Sequence, residues 1–410
     1  MLPGGALGVE EVANELGALA KRIYDSSVID TEQRLTITYD ALPTKNWNIK
    51  GDGWYGDAHL KRSSSYKFAN PKEGLPQETY EVSQQFLIRN KEMFGDVTFT
   101  KDFLIKLVGG VTSFEDYTYK IEDLIRTQKK NLNQACYIGP TMKRAILTSS
   151  PAPSTSFTVD SVQYLHVGMM IDIYDTTSAT LVWNNVEITG ISGLTVTVGA
   201  SVTASATDVV YLHEENLSAS TGKGLNGVPV QCDDGSDYPV LFENLSRTTW
   251  PGWRGNRLDA SGAVLSNDIL QKLTNKIYEN GGHDYMTEDY ENFVHMDTVR
   301  RYLAITIPQK RYIDASKYDA GMEKPKMLEW NGKGITIDPD CPKRNWYMYN
   351  KAHGGKMELA PLAVDSMLGG TSMKWKSGYM QGITVTYYSG NLGTNKPNSF
   401  GALLNLAAVS

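Results

Sequence analysis

The stretch "WNGKGITIDPDCPKRNWYMYN", residues 330 to 350, places Asp338, Asp340 and Cys341 within four residues, with Lys343 and Arg344 close behind. Three readings compete: a metal site, a nucleophile with its acid, and a turn. The flanks favour the turn. Ile335 and Ile337 alternate about Thr336, Pro339 and Pro342 bracket the carboxylates, and Trp346, Tyr347, Met348 and Tyr349 form a second apolar run. This is the pattern of strand, Pro-rich turn and strand, a hairpin. Asp bonds its own backbone and Pro presets φ, so the cluster has a structural explanation without a ligand. On that reading, combining Asp338→Asn, Asp340→Asn and Cys341→Ser should cost only about 1–2 kcal/mol in turn and packing losses.

At 410 residues the chain is too long for one ordinary core, so two or more lobes are expected. Hydrophobic content of 41%, charged content of 21% and a net charge of -6 describe a folded, water-compatible protein. Without a cationic surplus there is no footprint for tight nucleic-acid binding, so any contact with DNA should be loose and non-specific. The start of the chain has neither a cationic leader nor a long apolar run, and no segment has the ~18 apolar residues of a membrane span, which points to assembly in the cytosol. Cys136, Cys232 and Cys341 are odd in number and far apart, as expected for reduced, buried thiols.

Along the chain, Val9, Val12, Leu16, Leu19 and Ile23 recur at helical spacing and predict a short N-terminal helix. Residues 46 to 105 are dense in aromatics and charges but hold no core-sized apolar block, and "SSSYKFANPKEGLPQ" (63 to 77) is turn chemistry. Two long polar strands about a turn are marginal alone, so this arm needs a partner to lie on. From Ser113, with Asp116 three residues on, helical spacing runs to Cys136 and stops at Gly139-Pro140. Between Arg144 and Lys223 there is no Lys or Arg, and β-branched residues alternate between short turn motifs. That reads as an inserted small barrel or sandwich over residues 151 to 216. Ser266 caps a helix carrying Ile269, Leu270, Leu273 and Ile277, Asp297 opens another, and the chain closes on strand-like segments. Helices and strands mix without strict alternation, which favours α+β.

No catalytic, cofactor-binding or metal-ligating residue is assigned. Gly222, Gly224 and Gly227 satisfy G-x-G-x-x-G, but a Ser/Thr loop precedes them and "VPVQC" follows, where a dinucleotide site needs a strand and then a helix N-terminus. His283, Asp284, Glu288, Asp289 and His295 lack the close ligand pairs of a metal motif and read as a solvated loop. Asp233, Asp234 and Asp237 around Gly235 lack calcium-loop spacing and the closing Glu. The nucleophile-elbow pattern of a serine hydrolase is absent from the sequence.

The order of these elements resembles that of tailed-bacteriophage major capsid proteins of the Hong Kong 97-type fold. The resemblance is carried by the N-terminal arm, the charged hairpin containing "GLP" (Gly74 to Pro76), the long helix from Ser113, the helix "LSNDILQKLTNKIYENGG" leading to "VRRYLA", and the 330 to 350 motif. It covers most of the chain outside residues 151 to 216, and that segment is similar to small β-domains that some such proteins carry. It implies an N-terminal arm over 1–45, an extended hairpin (E-loop) over 46–105, a peripheral domain with its spine helix over 106–150 and 366–410, the insert over 151–216, and an axial domain over 217–365.

The implied function is structural rather than enzymatic: self-assembly as hexamers and pentamers into an icosahedral shell around phage double-stranded DNA, in the virion, without cofactors. Lys61, Arg62, Tyr66, Lys67, Phe68, Lys72 and Glu73 become the arm residues expected to touch neighbouring subunits. A separate scaffolding protein, a portal and a decoration protein are the implied partners, and a membrane is not. Some family members crosslink an arm Lys to an Asn. Lys67 and Lys72 with Asn395 and Asn398 could be drawn so, but nothing in the sequence identifies a pair. An encapsulin-like compartment shares the implied fold. An extracellular β-rich adhesin would explain the insert alone and requires a secretion leader.

Overall fold

The computed structural model describes residues 36–46, 49–51, 53–68, 77–100, 102–103, 114–149, 153–175, 180–215, 222–310, 328–364, 374–375 and 381–408. The expected helix around Val9 to Ile23 lies outside them. The chain forms a mixed α/β structure of two units. One is Met1–Leu35, Phe94–Lys130 and Leu362–Tyr387; the other is Thr36–Met93, Asn131–Pro361 and Tyr388–Ser410. Among the described residues no helix is long and apolar enough to cross a membrane.

The larger unit is organised by a six-stranded sheet. Its strand order is Asn256–Asp259, Gly401–Leu404, Trp346–Asn350, Tyr290–Val294, Lys333–Ile337 and Glu329–Trp330. The predicted strand, turn and strand of residues 330 to 350 are present, but they do not form a hairpin. Tyr290–Val294 lies between the two strands, parallel to Lys333–Ile337 and antiparallel to Trp346–Asn350. A parallel partner requires a crossover, and the helix Met296–Lys310 supplies it. With a strand already between them, the arms of the turn are too far apart to pair.

The helix Asn267–Gly281 packs beside this sheet. Ser266 Oγ accepts from the Ile269 amide at 3.3 Å, and Gly282 closes the helix at φ 68°, a left-handed cap that suits glycine. Its expected face is the buried one: Leu270, Leu273 and Ile277 meet Val294, Trp346, Met348 and Leu403, with Ile269 partly buried. Asn292 sits inside this core, and its Oδ1 accepts from Trp346 Nε1 at 3.0 Å and Tyr285 Oη at 2.9 Å, so the buried amide is satisfied.

A second six-stranded sheet corresponds to the lysine-free segment, in the order Ala145–Ile146, Val209–Leu212, Met170–Asp175, Thr180–Ser192, Thr195–Val202 and Ser154–Thr158. It has a core of its own, with Leu147, Phe157, Val159, Ile171, Ile173, Ile188, Val196, Val198 and Val210 fully buried. The pairing begins ahead of residue 151: Ile146 faces Val209 across an antiparallel ladder. Arg144 braces the two chain crossings, with Nη2 3.3 Å from Glu215 Oε2 and its amide donating to Val210 O at 3.0 Å.

In the smaller unit, Phe99 and Ile121 form a compact cluster with Val97, Phe103, Ile125 and Val364. Thr386 Oγ1 joins Gly95 O at 3.1 Å and Gln128 Oε1 at 2.6 Å. The long helix is Phe114–Ile138; Ser113, its expected cap, lies outside the described residues. It ends as predicted, at Gly139 with φ 75°.

Candidate assembly surface

The hairpin predicted over residues 46 to 105 is real but divided. Gly53–Lys61 and Val82–Arg89 pair antiparallel from Gly53↔Arg89 to Lys61↔Val82. The root of this ladder is core, contrary to the expectation of an arm without apolar substance. Trp54, Ala58, Phe86 and Ile88 are buried with Val230, Phe242, Leu245, Trp253 and Met357, and the Phe86 and Trp253 rings lie 5.3 Å apart. Burial of side chains this size contributes about 1.5–3 kcal/mol each, so the root cannot detach. The sequence signals for it are the alternation of Trp54, Gly56 and Ala58 along one face and of Phe86 and Ile88 on the returning strand.

Beyond the ladder the character changes. Ser63 Oγ donates to Thr79 O at 2.7 Å, the Ser64 amide to Thr79 Oγ1 at 2.7 Å, and the Thr79 amide to Ser65 Oγ at 2.6 Å. Side-chain bonds here replace the backbone pairing, a light brace with no buried apolar residue among the described residues 61–68 and 77–81. Lys61 ends its strand exposed, Arg62 and Lys67 are exposed, Tyr66 is 79% exposed and Phe68 fully so. Lys72 and Glu73 lie outside the described residues. The sequence reading omitted Tyr80, which is 73% exposed on the returning limb. Aromatic rings held out in water on a polar limb are the composition of a contact surface.

The Asp/Cys turn is a tie-point rather than a solvated loop. Asp338, Asp340 and Cys341 are all buried. Asp338 Oδ2 accepts from the Thr38 amide at 3.0 Å and from Asn133 Nδ2 at 3.0 Å, and Asp340 Oδ2 accepts from the same Nδ2 at 2.6 Å. The Asp340 amide donates to Asp338 Oδ1 at 2.8 Å, which is the expected Asx-type turn. One motif thus joins the Ile37–Ala41 helix, the long helix and the central sheet. Burial pushes the Cys341 thiol up, with the Asp338 carboxylate adding to the effect. Burial likewise raises Cys136 and Cys232. All three are free thiols, and a thiol so shifted is a poor nucleophile.

The three glycines turn out to be spacers. A Cβ on Gly222 would meet Pro140 O at 2.0 Å, on Gly224 Gly139 O at 2.5 Å, and on Gly227 Cys136 O at 2.6 Å, so they let this strand of backbone lie on the end of the long helix. "VPVQC" is helical, over Val228–Cys232, contrary to the expectation, but this single turn is wholly buried and offers no phosphate cradle. Asp233 is also committed, accepting from the Gly235 amide at 2.8 Å and from Arg247 Nη1 at 3.3 Å.

The histidine loop is solvated only in part, at Met286, Thr287 and Asp289. His283 is buried, with Nδ1 3.0 Å from Glu288 Oε1, and its ring lies 5.0 Å from that of His353, a residue the sequence reading did not include. His295 is separate, its Nδ1 accepting from the Asp297 amide at 3.1 Å.

No protein-family model and no curated protein matches the chain. Solved structures do. A chain of the capsid asymmetric unit of cyanophage A-1(L) aligns with a TM-score of 0.60 at 10% identity, covering 93% of this chain and 96% of its own. A chain from the capsid of an empty GTA particle aligns with a TM-score of 0.52 at 10% identity, covering 93% and 94%. At such identities the likeness is one of fold: this chain is built on the fold of viral-type capsid subunits over nearly its whole length.

Proposed function

We propose that the chain is a major capsid protein of the tailed-bacteriophage type, assembling as hexamers and pentamers into an icosahedral shell around double-stranded DNA. The observation that carries this reading is the fold match across 93% of the chain to a subunit of a capsid asymmetric unit. The hairpin supports it: a root fixed in the core and a polar tip that presents Tyr66, Phe68 and Tyr80 suit a limb stabilised by lying on a neighbour. Lys61, Arg62, Lys67, Lys72 and Glu73 belong to the same tip. The proposed organisation keeps the segments 1–45, 46–105, 106–150 with 366–410, and 217–365 as arm, E-loop, peripheral and axial regions. A scaffolding protein, a portal and loose contact with packaged DNA complete it.

The lysine-free sheet is assigned as an inserted module on the outer face of the shell. Its acidic residues support this less than their number suggests, since Asp172 and Asp208 are buried. Asp172 accepts from the amides of Asn185 at 2.8 Å and Glu214 at 3.0 Å, leaving Asp160, Glu187 and Glu214 exposed and Asp175 half-buried. Antibodies raised against this sheet should bind intact particles; binding only to disrupted ones would place it inside.

Negative-stain microscopy and light scattering of the protein co-expressed with its scaffold test the main reading. Closed shells or ring-shaped capsomers are expected, and a strictly monomeric protein at high concentration would overturn it.

A further inference from the structure

We propose that His283, Glu288 and His353 form a binding site for a divalent transition-metal ion of the zinc class. This is independent of the capsid reading.

The three side chains come from two loops at one end of the central sheet. His283 and Glu288 lie in the connection between the Asn267–Gly281 helix and the Tyr290–Val294 strand; His353 lies in the turn after Trp346–Asn350. Tyr290 faces Asn350 across the ladder, and the Lys351 amide donates to Asp289 O at 2.8 Å, so the loops are held side by side. The donor atoms of the three residues all lie within 4.8 Å of one another. Among the described residues this is the one group of His, Cys, Asp and Glu with that spacing.

The donors are aimed by neighbours, as metal ligands require. His353 Nδ1 lies 3.2 Å from Asn395 Oδ1, which can only accept; the ring proton therefore sits on Nδ1 and leaves the Nε2 lone pair open. Glu288 Oε2 accepts from Asn350 Nδ2 at 2.5 Å, which fixes the carboxylate. His283 Nδ1 lies 3.0 and 3.1 Å from the two Glu288 oxygens. Ligands each about 2.0–2.1 Å from a tetrahedral zinc ion lie roughly 3.3 Å apart, so the ion can take the place of the proton now shared by His283 and Glu288. The neutral His283 ring then carries its one proton on Nε2 instead of Nδ1. Modest movement of the half-buried His353 and Glu288 completes a set of two imidazoles and one carboxylate, with a fourth position open to solvent. Two nitrogen donors select zinc-like ions over Mg2+ or Ca2+.

The test uses the full-length protein stripped with EDTA, dialysed, and titrated with Zn2+ and with Co2+ as a visible reporter. Wild type should retain one ion per chain through gel filtration, show the cobalt absorption of a nitrogen-ligated low-coordinate site, and melt at higher temperature with Zn2+ but not with Mg2+. His353→Ala, at a partly exposed turn, should bind at least tenfold more weakly. No retained metal, equal retention by His353→Ala, or an equal melting shift with Mg2+ would each overturn the assignment.

Discussion

The side-chain amide of Asn133 stands between two carboxylates, its Nδ2 3.0 Å from Asp338 Oδ2 and 2.6 Å from Asp340 Oδ2, and all three residues are buried. Asn133→Ala would leave both acids without this donor in a site water does not reach. Loss of about 3 kcal/mol of subunit stability is expected, read as a lower urea midpoint at unchanged slope. The same geometry raises the expected cost of the triple substitution at Asp338, Asp340 and Cys341 above the 1–2 kcal/mol suggested by a simple turn. A midpoint within experimental error of wild type for Asn133→Ala would show that the tie carries no stability.

Deleting residues 62 to 80 and joining the limbs with a short Gly-Ser link should leave the subunit folded, because Trp54, Phe86 and the rest of the root stay in place. Among the described residues the deletion removes chiefly the Ser63–Ser65 brace to Thr79, so circular dichroism should be unchanged and the melting temperature nearly so. Shell formation should disappear. Unfolding of the deletion variant would instead make the tip part of the core.

Gly224→Ala should destabilise by about 1–3 kcal/mol, since the new Cβ would press on Gly139 O and on the Met142 side chain. Binding of ATP or NAD should be undetectable in both wild type and variant. Nucleotide binding by wild type that this substitution removes would restore the phosphate-loop reading.

His295 gives a pH dependence. Burial lowers its pKa from the ordinary 6.5, with Lys343 acting the same way against the opposing Asp297 and Asp338. Its place at the start of the Met296–Lys310 helix also disfavours the cation. The folded state therefore binds the proton less readily than the unfolded chain. This contribution is complete above pH 6.5 and is lost as pH falls from there toward the depressed folded value. His295→Asn keeps an acceptor for the Asp297 amide and removes the titration. Denaturant midpoints between pH 7.5 and pH 5 should fall less steeply in the variant, and identical slopes would refute the assignment.

What was legible in the sequence was local. The long helix and the Ser266 helix could be read because their spacing and caps lie within one segment, and the lysine-free sheet because composition changes at its edges. What stayed hidden was the choice of partners across distance. The strands around Asp338 look like a hairpin until Tyr290–Val294, supplied by another part of the chain, fills the gap between them. Asp338 looks like a surface turn residue until Thr38 and Asn133 are placed beside it. His283 reads as a loop residue because His353 enters only through sheet register. The root of the hairpin was missed because Trp54 and Phe86 look like isolated aromatics until Trp253 and Phe242 close over them.

The strand Gly401–Leu404 pairs on one side with Asn256–Asp259 and on the other with Trp346–Asn350. A ribosome delivers it after every other described strand. Until it emerges, the growing polypeptide holds two bare strand edges and an open space where Leu403 will meet Trp346. A prematurely terminated product cannot close that gap, and exposed edges of this kind invite aggregation and proteolysis. Closure of the central sheet therefore waits on this one strand, and a polypeptide that lacks it keeps both neighbouring edges open.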